Sequence, residues 1–341
     1  NDSVGTSPKG HIGSAIYQHG ATGNSDYGWH IAGYRPSGQS SVTYRIDYNN
    51  DTATAPSRGA IVGTLSQITA TGNSTNGYTA GGYSPSYTSG VGWVFNIDYS
   101  NDTTNATPAG ALHQSAYGVA GMSPLINGFP STNPLTENGK DKGGQGIRES
   151  RGYFAGGFAN SVGRLSAVFK IDFANDTANT STKGNLPTDT HQECGGESSG
   201  SHGYVICGSS PSFPGYPSTS RNTTIISRIS YANDSATPVR VGNFLGVSAW
   251  YGIPTDETRA IGNPNFAYFI NAGRSQVNRL DYSNDTDSTT VRGSTNGNYK
   301  GATIGNSDFG YFIDSYQIQR LDYSNDTVPT VAKGSVTGAG A

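Results

Sequence analysis

Six near-copies of one short sentence constrain this chain more than any other feature: "RIDYNNDT" (45–52), "FNIDYSNDT" (95–103), "FKIDFANDT" (169–177), "SRISYANDS" (227–235), "NRLDYSNDT" (278–286) and "QRLDYSNDT" (319–327). The Asn-Asp-[Ser/Thr] step falls at Asn1, Asn50, Asn101, Asn175, Asn233, Asn284 and Asn325, giving spacings of 49, 51, 74, 58, 51 and 41. A second marker keeps the same phase: "GWHIAGY" (28–34), "GYTAGGY" (77–83), "GYFAGGF" (152–158), "GYVICGS" (203–209), "AYFINAG" (267–273) and "GYFIDSY" (310–316). Two markers in register define a repeat protein, whose units bury their apolar faces only by stacking on one another.

Each unit runs from a Lys/Arg-Gly step through a small-residue run near "ATGNS", the Gly-aromatic run and a Ser/Gly loop to the Ile-Asp-Tyr run. The runs are short enough to be strands, about four to a unit. Composition agrees: 48 Gly, 16 Pro, 21 Tyr, one Met and 13% charged residues suit short strands and tight turns rather than helical layers. Units of about 50 residues with four strands are the pattern of propeller blades, which close radially and avoid long exposed edges. The expectation is an all-β propeller of six four-stranded blades over 1–324, with units starting near 1, 50, 101, 175, 233 and 284. Residues 325–341 form a surplus strand and tail. The alternative is seven blades, one of them incomplete or completed by a partner.

A net charge of -3, with 21 basic and 24 acidic residues dispersed along the chain, leaves no electrostatic footprint for nucleic acid. No apolar run is long enough to span a bilayer as a helix, so membrane insertion is not expected. The opening "NDSVGTSPKG" has neither Met nor an apolar signal core, and reads as a start after processing or after a preceding segment. Cys194 and Cys207 flank the turn "CGGESSGSHGYVIC", which suits a disulfide across a hairpin and hence an oxidising compartment. The longest spacing contains "MSPLINGFPSTNPLTENGKDKGGQGIRES" (122–150), an elaborated loop that reads either as a contact element or as a tolerated insertion.

The Gly-aromatic run ending in paired glycines, "YFAGG" (153–157), followed by an outer strand, resembles the kelch type of β-propeller over nearly the whole chain. Units four to six lack the paired Gly. The "IDYSNDT" run resembles repeats of phage and bacterial surface or structural proteins, and that resemblance implies a structural or adhesive role. Galactose oxidase belongs to the wider kelch group, but its Tyr/His/Cys copper set has no counterpart that can be assigned here.

Alternation places Tyr44, Ile46 and Tyr48 on one strand face and Arg45 and Asp47 on the other. Arg228, Arg279 and Arg320 repeat Arg45, with Lys170 close in charge, and Asp98, Asp172, Asp281 and Asp322 repeat Asp47; Asn96 and Ser230 depart. An ion pair within or between blades is expected. The Asn-Asp-[Ser/Thr] step is a turn device, because its short side chains bond their own backbone. It also writes glycosylation sequons at Asn1, Asn50, Asn101, Asn175, Asn233, Asn284 and Asn325, joined by Asn73, Asn105, Asn179 and Asn222. A third reading is calcium, through Asp47, Asn49 and Asp51 or Asp281, Asp285 and Asp287, although the sharp-turn Gly and terminal Glu of a calcium loop are missing.

His11, His19, His30, His113, His191 and His202 show no metal-ligand spacing, and Glu137, Glu149, Glu193, Glu197 and Glu257 form no recognisable glycosidase pair. No nucleophile elbow or phosphate-cradling loop is present. No catalytic residue is therefore assigned. Tyr17, Trp93, Tyr117, Trp250, Tyr251 and Tyr299 stand at recurring points of their units and read either as rings packed between blades or as sugar platforms. The expected function is a non-catalytic, extracellular structural or adhesive module that self-associates through its surplus strand, with a carbohydrate-binding propeller as the alternative.

Overall fold

The computed structural model describes residues 16–50, 54–123, 151–187, 194–206, 209–210, 221–222, 225–233, 237–244, 258–270, 276–295, 302–305, 308–313, 317–326 and 331–335. These form six antiparallel blades, each with four strands in chain order from the inside outward. The inner strands are Gly20–Gly23, Thr69–Gly72, Ala120–Met122, Gly195–Ser198, Arg259–Gly262 and Thr303–Gly305. Second strands are Tyr27–Arg35, Asn76–Ala80, Arg151–Ala155, His202–Ile206, Phe266–Ile270 and Phe309–Ile313. Third strands are Gly38–Asp47, Ser89–Asp98, Ala167–Asp172, Ile225–Ser230, Gln276–Asp281 and Gln317–Asp322. Outer strands are Ser57–Leu65, Thr107–Ala116, Ser181–Asn185, Val239–Asn243, Thr290–Ser294 and Val331–Ser335. Inner strands of successive blades touch, and that of blade six touches that of blade one, so the ring closes.

The blades begin at their inner strands, not at the Asn-Asp turn that serves as the ruler in the sequence. The C-terminal copy of the repeat accordingly supplies the outer strand of blade six, with Gln317 opposite Ser335 and Arg320 opposite Val331. The N-terminal copy, residues 1–10, lies outside the described residues, as do 124–150 of the elaborated loop between the inner and second strands of blade three.

The repeated sentence builds the seams between blades. The Ile or Leu near the end of each third strand and the aromatic residue just after the strand face the preceding blade. Ile97 and Tyr99 of blade two, for example, share a core with Trp29, Ile31 and Leu65 of blade one. Trp29 stacks on Tyr99 at 4.1 Å and Tyr78 on Phe173 at 4.6 Å; Tyr153 on Tyr231, Tyr204 on Tyr282 and Tyr268 on Tyr323 continue the series at 5.0 to 5.1 Å. The Gly of the Gly-aromatic step makes room for this packing: a Cβ on Gly28 would run into Ile304 of blade six.

Arginine on the opposite face crosses to the following blade, and its partner is the Asp of Asn-Asp-[Ser/Thr] rather than that of Ile-Asp-Tyr. Arg45 meets Asp102 at 3.0 Å, Arg228 meets Asp285 at 2.8 Å and Arg279 meets Asp326 at 2.6 Å. The same carboxylates accept from Trp29 Nε1 (2.9 Å), Tyr204 Oη (2.8 Å) and Tyr268 Oη (3.0 Å). Asn96, which replaces the arginine, donates to Asp176 at 2.5 Å, so the contact survives loss of the charge. Asp98, Asp172, Asp281 and Asp322 instead cap the one-turn 3-10 helix that follows, each accepting from the backbone N two residues on.

The basic residue before Gly belongs to the same seams. Arg58 approaches Asp102 at 3.5 Å, and Lys183 donates to the Asn233 carbonyl at 2.9 Å. Gly59 donates its N–H to the Asp102 carbonyl at 2.8 Å, an approach that leaves no space for a Cβ beside the Thr104 carbonyl.

Candidate functional site

The inner strands surround a central channel with an open volume of about 160 Å³. Its wall is mostly small and polar, with Thr69, Thr71, Gln18 and Gln67 among the lining residues; Glu197, Arg259, His19 and Cys194 are the ionisable ones. Glu197 sits opposite Tyr204, the position taken by Thr22, Thr71, Met122, Ile261 and Ile304 in the other blades. That position packs into the seam, which is why most of its occupants are apolar or short. Glu197 is only 6% exposed, and its Oε1 accepts from the Ser198 N–H at 2.9 Å. Burial pushes its carboxyl up to about 7, the Ser198 bond opposing the shift. It is therefore a carboxyl poised between neutral donor and charged acceptor near neutral pH.

His19 and His30 form a second buried polar group, their Nε2 and Nδ1 atoms 3.1 Å apart. Burial lowers both pKa values, His30 to about 4, and the neighbouring His30 and Arg259 lower His19 further. Both rings are neutral at pH 7, so one donates to the other. His19 Nδ1 and His30 Nε2 are left without a hydrogen-bond partner in the protein.

Aromatic rings pair beside the starts of the inner strands of blades one and three. Tyr17, just before the inner strand of blade one, exchanges backbone hydrogen bonds with Tyr34 and lies 5.0 Å from its ring. Tyr117, its counterpart before the inner strand of blade three, bonds likewise to Phe158 and lies 5.8 Å from Tyr83 of blade two. These rings are half-buried. Trp93 is different: it packs on Phe95 and Tyr87 and against the core shared by blades one and two. Trp250, Tyr251 and Tyr299 lie outside the described residues.

The calcium candidates are not brought together. Asp281 caps Ser283, Asp285 holds Arg228 and Tyr204, and Asp287 accepts from Asn284; Asp47 caps Asn49, and Asp51 lies outside the described residues. Among the described residues no three His, Cys, Asp or Glu side chains are grouped to hold a metal ion. Cys194 is buried in the seam between blades three and four, whereas Cys207 lies outside the described residues.

Asn50, Asn101, Asn175, Asn233, Asn284 and Asn325 are exposed on the turns between third and outer strands, at one end of the propeller. Asn105 and Asn179, also exposed, accept from Ala60 and Ala111 of the preceding blade. Asn73 caps the turn from inner to second strand in blade two. Asn1 is outside the described residues, and Asn222 pairs with Ser209 in a short side ladder. No helix among the described residues is long and apolar enough to cross a membrane.

Searches of protein families and of curated proteins return no match to this chain. Among solved structures it is similar to the one described as "Structure of YjhT", with a TM-score of 0.64 over 93% of each chain at 11% identity. The chain is a six-bladed β-propeller. At that identity the likeness extends to the fold alone.

Proposed function

We propose that the protein is a non-catalytic, extracellular repeat module with a structural or adhesive role that self-associates, built on a kelch-like ring. The observation that carries this reading is where the repeated chemistry goes. The recurring Arg, Asp and aromatic groups bind one blade to the next, as in Arg228 and Tyr204 on Asp285 and Arg279 and Tyr268 on Asp326. A repeat used this way serves the rigidity of the ring, which suits a protein that bears load or presents a surface. Light scattering across a concentration series, with negative-stain imaging, tests the role. Concentration-dependent assemblies support it, and a strictly monomeric species at the highest concentration counts against it.

The half-buried ring pairs Tyr17–Tyr34, Tyr83–Tyr117 and Tyr117–Phe158 favour a second reading, a carbohydrate-binding propeller. A glycan array separates the two. Selective binding that is lost in Tyr117→Ala supports the lectin-like role, and uniform lack of binding removes it.

A further inference from the structure

Among the described residues that line the channel, Arg259 alone carries a full charge throughout the range around neutral pH. It opens the inner strand of blade five opposite Ile270, the position held by Gly20, Thr69, Ala120, Gly195 and Ala302 in the other blades. The seams have little room at this level: a Cβ on Gly20 would lie 3.3 Å from the Thr69 backbone, and one on Gly195 3.2 Å from Thr258. An arginine side chain therefore extends along the channel wall, where its Nη1 donates to the Thr258 carbonyl at 3.3 Å.

Its charge is felt by His19 of blade one, two blades away around the ring. His19 stands where blades two and three have Ile68 and Val119, and His30 where blades three and five have Phe154 and Phe269. Packing alone does not call for imidazoles at these positions. One contact of 3.1 Å joins the two rings and leaves His19 Nδ1 and His30 Nε2 without a partner in the protein. The neutral pair has two proton arrangements. With His30 Nδ1–H donating to His19 Nε2, His19 Nδ1 keeps a proton and is a donor; with the reverse donation it is a bare acceptor.

We propose that a small anion, a carboxylate or a phosphate, is held between the Arg259 guanidinium and His19 Nδ1–H, with His30 as the positioning residue that sets the His19 tautomer. Charge selects the ligand, because a guanidinium presents a fork of N–H donors that matches a carboxylate or phosphate and repels cations. The open volume of about 160 Å³ is roughly ten times the ~15 Å³ that one water needs, so either anion fits. Gln18 and Gln67 bring amide groups to the same wall. The anion supplies the acceptor that the buried His19 nitrogen lacks, and so favours the arrangement in which His30 donates to His19. The site is independent of the structural and lectin-like readings, neither of which uses Arg259 or the histidines.

Calorimetric titration of the full chain at pH 7 in chloride-free buffer, with sodium acetate and separately with sodium phosphate, tests the site. One anion bound per chain is expected, and the tighter of the two shows whether a planar carboxylate or a tetrahedral oxyanion is preferred. Arg259→Gln should weaken that binding at least about tenfold, and Arg259→Lys, which keeps the charge without the fork, by less. No saturable binding of either anion by the parent, or an affinity unchanged in Arg259→Gln, overturns the inference. Nitrogen-15 spectra of the histidine-labelled parent give a reading that needs no substitution. At saturating anion, His19 Nδ1 and His30 Nδ1 should show the shifts of protonated nitrogens, and His19 Nε2 and His30 Nε2 those of bare ones. Binding that leaves His19 Nδ1 without its proton overturns the inference.

Discussion

Replacing Glu197 by Gln should make the protein more stable, and only on the alkaline side of its titration. The carboxyl lies in the seam of blades four and five, 6% exposed, with Tyr231, Tyr282 and Tyr323 close enough to feel its charge. Its pKa rises from 4.5 to about 7 on folding, chiefly by desolvation. Because the folded-state value is the higher one, the protonated form is favoured by folding. That stability is fully present below pH 4.5 and is lost as pH rises through about 7. At about 1.4 kcal/mol per unit, the loss is about 3 kcal/mol. Gln matches the neutral carboxyl in shape and retains an oxygen for the Ser198 N–H. The variant should therefore equal the parent near pH 4 and exceed it by about 3 kcal/mol at pH 8. Urea unfolding followed by tryptophan fluorescence at several pH values gives the difference directly, with all other titrations cancelling between the two proteins. A difference that stays flat across this range would refute the desolvated carboxyl.

Other expected outcomes bear on the same seams. In Glu197→Gln itself, acidification from pH 7.5 to 4 should lower the urea midpoint. His30 titrates near 4 in the fold against 6.5 unfolded, so about 3 kcal/mol present above 6.5 is lost toward 4, and His19 adds in the same direction. An unchanged midpoint would contradict the burial of this pair. Asp285→Ala strands Arg228 and the Tyr204 hydroxyl and should cost about 3 kcal/mol in urea. Adding Arg228→Ala should cost less than the sum of the two single changes, whereas strict additivity would deny their coupling. Gly59→Ala drives a methyl group into the Thr104 carbonyl and should destabilise by about 1–3 kcal/mol; a thermal midpoint equal to the parent would show that the seam yields freely.

Much of the architecture was legible because a repeat states its fold several times. The period, the Gly-aromatic step and the Ile-Asp-Tyr run place four strands in each of six units, and the structure has those blades. The Asn-Asp-[Ser/Thr] step does lie in a turn, but the side chain that caps it is that of Asp98 and its counterparts in the Ile-Asp-Tyr run, while Asp102 and its counterparts bind the preceding blade. The partner of Arg45 was not legible. Asp47 and Asp51 lie within six residues of it in the sequence, whereas its partner, Asp102, belongs to the following blade and is reached only through the way blades stack.

Glu197 was passed over for a related reason. As one scarce glutamate in a Gly/Ser-rich stretch it reads as a loop residue, and its place becomes visible only when the inner strands are aligned by their pairing. Then it stands where the other blades have Thr, Met or Ile. Sequence determines what is periodic, since each strand and turn is set by its own few residues. Tertiary structure decides what lies between units, because a seam joins side chains some fifty residues apart whose meeting depends on how the ring closes.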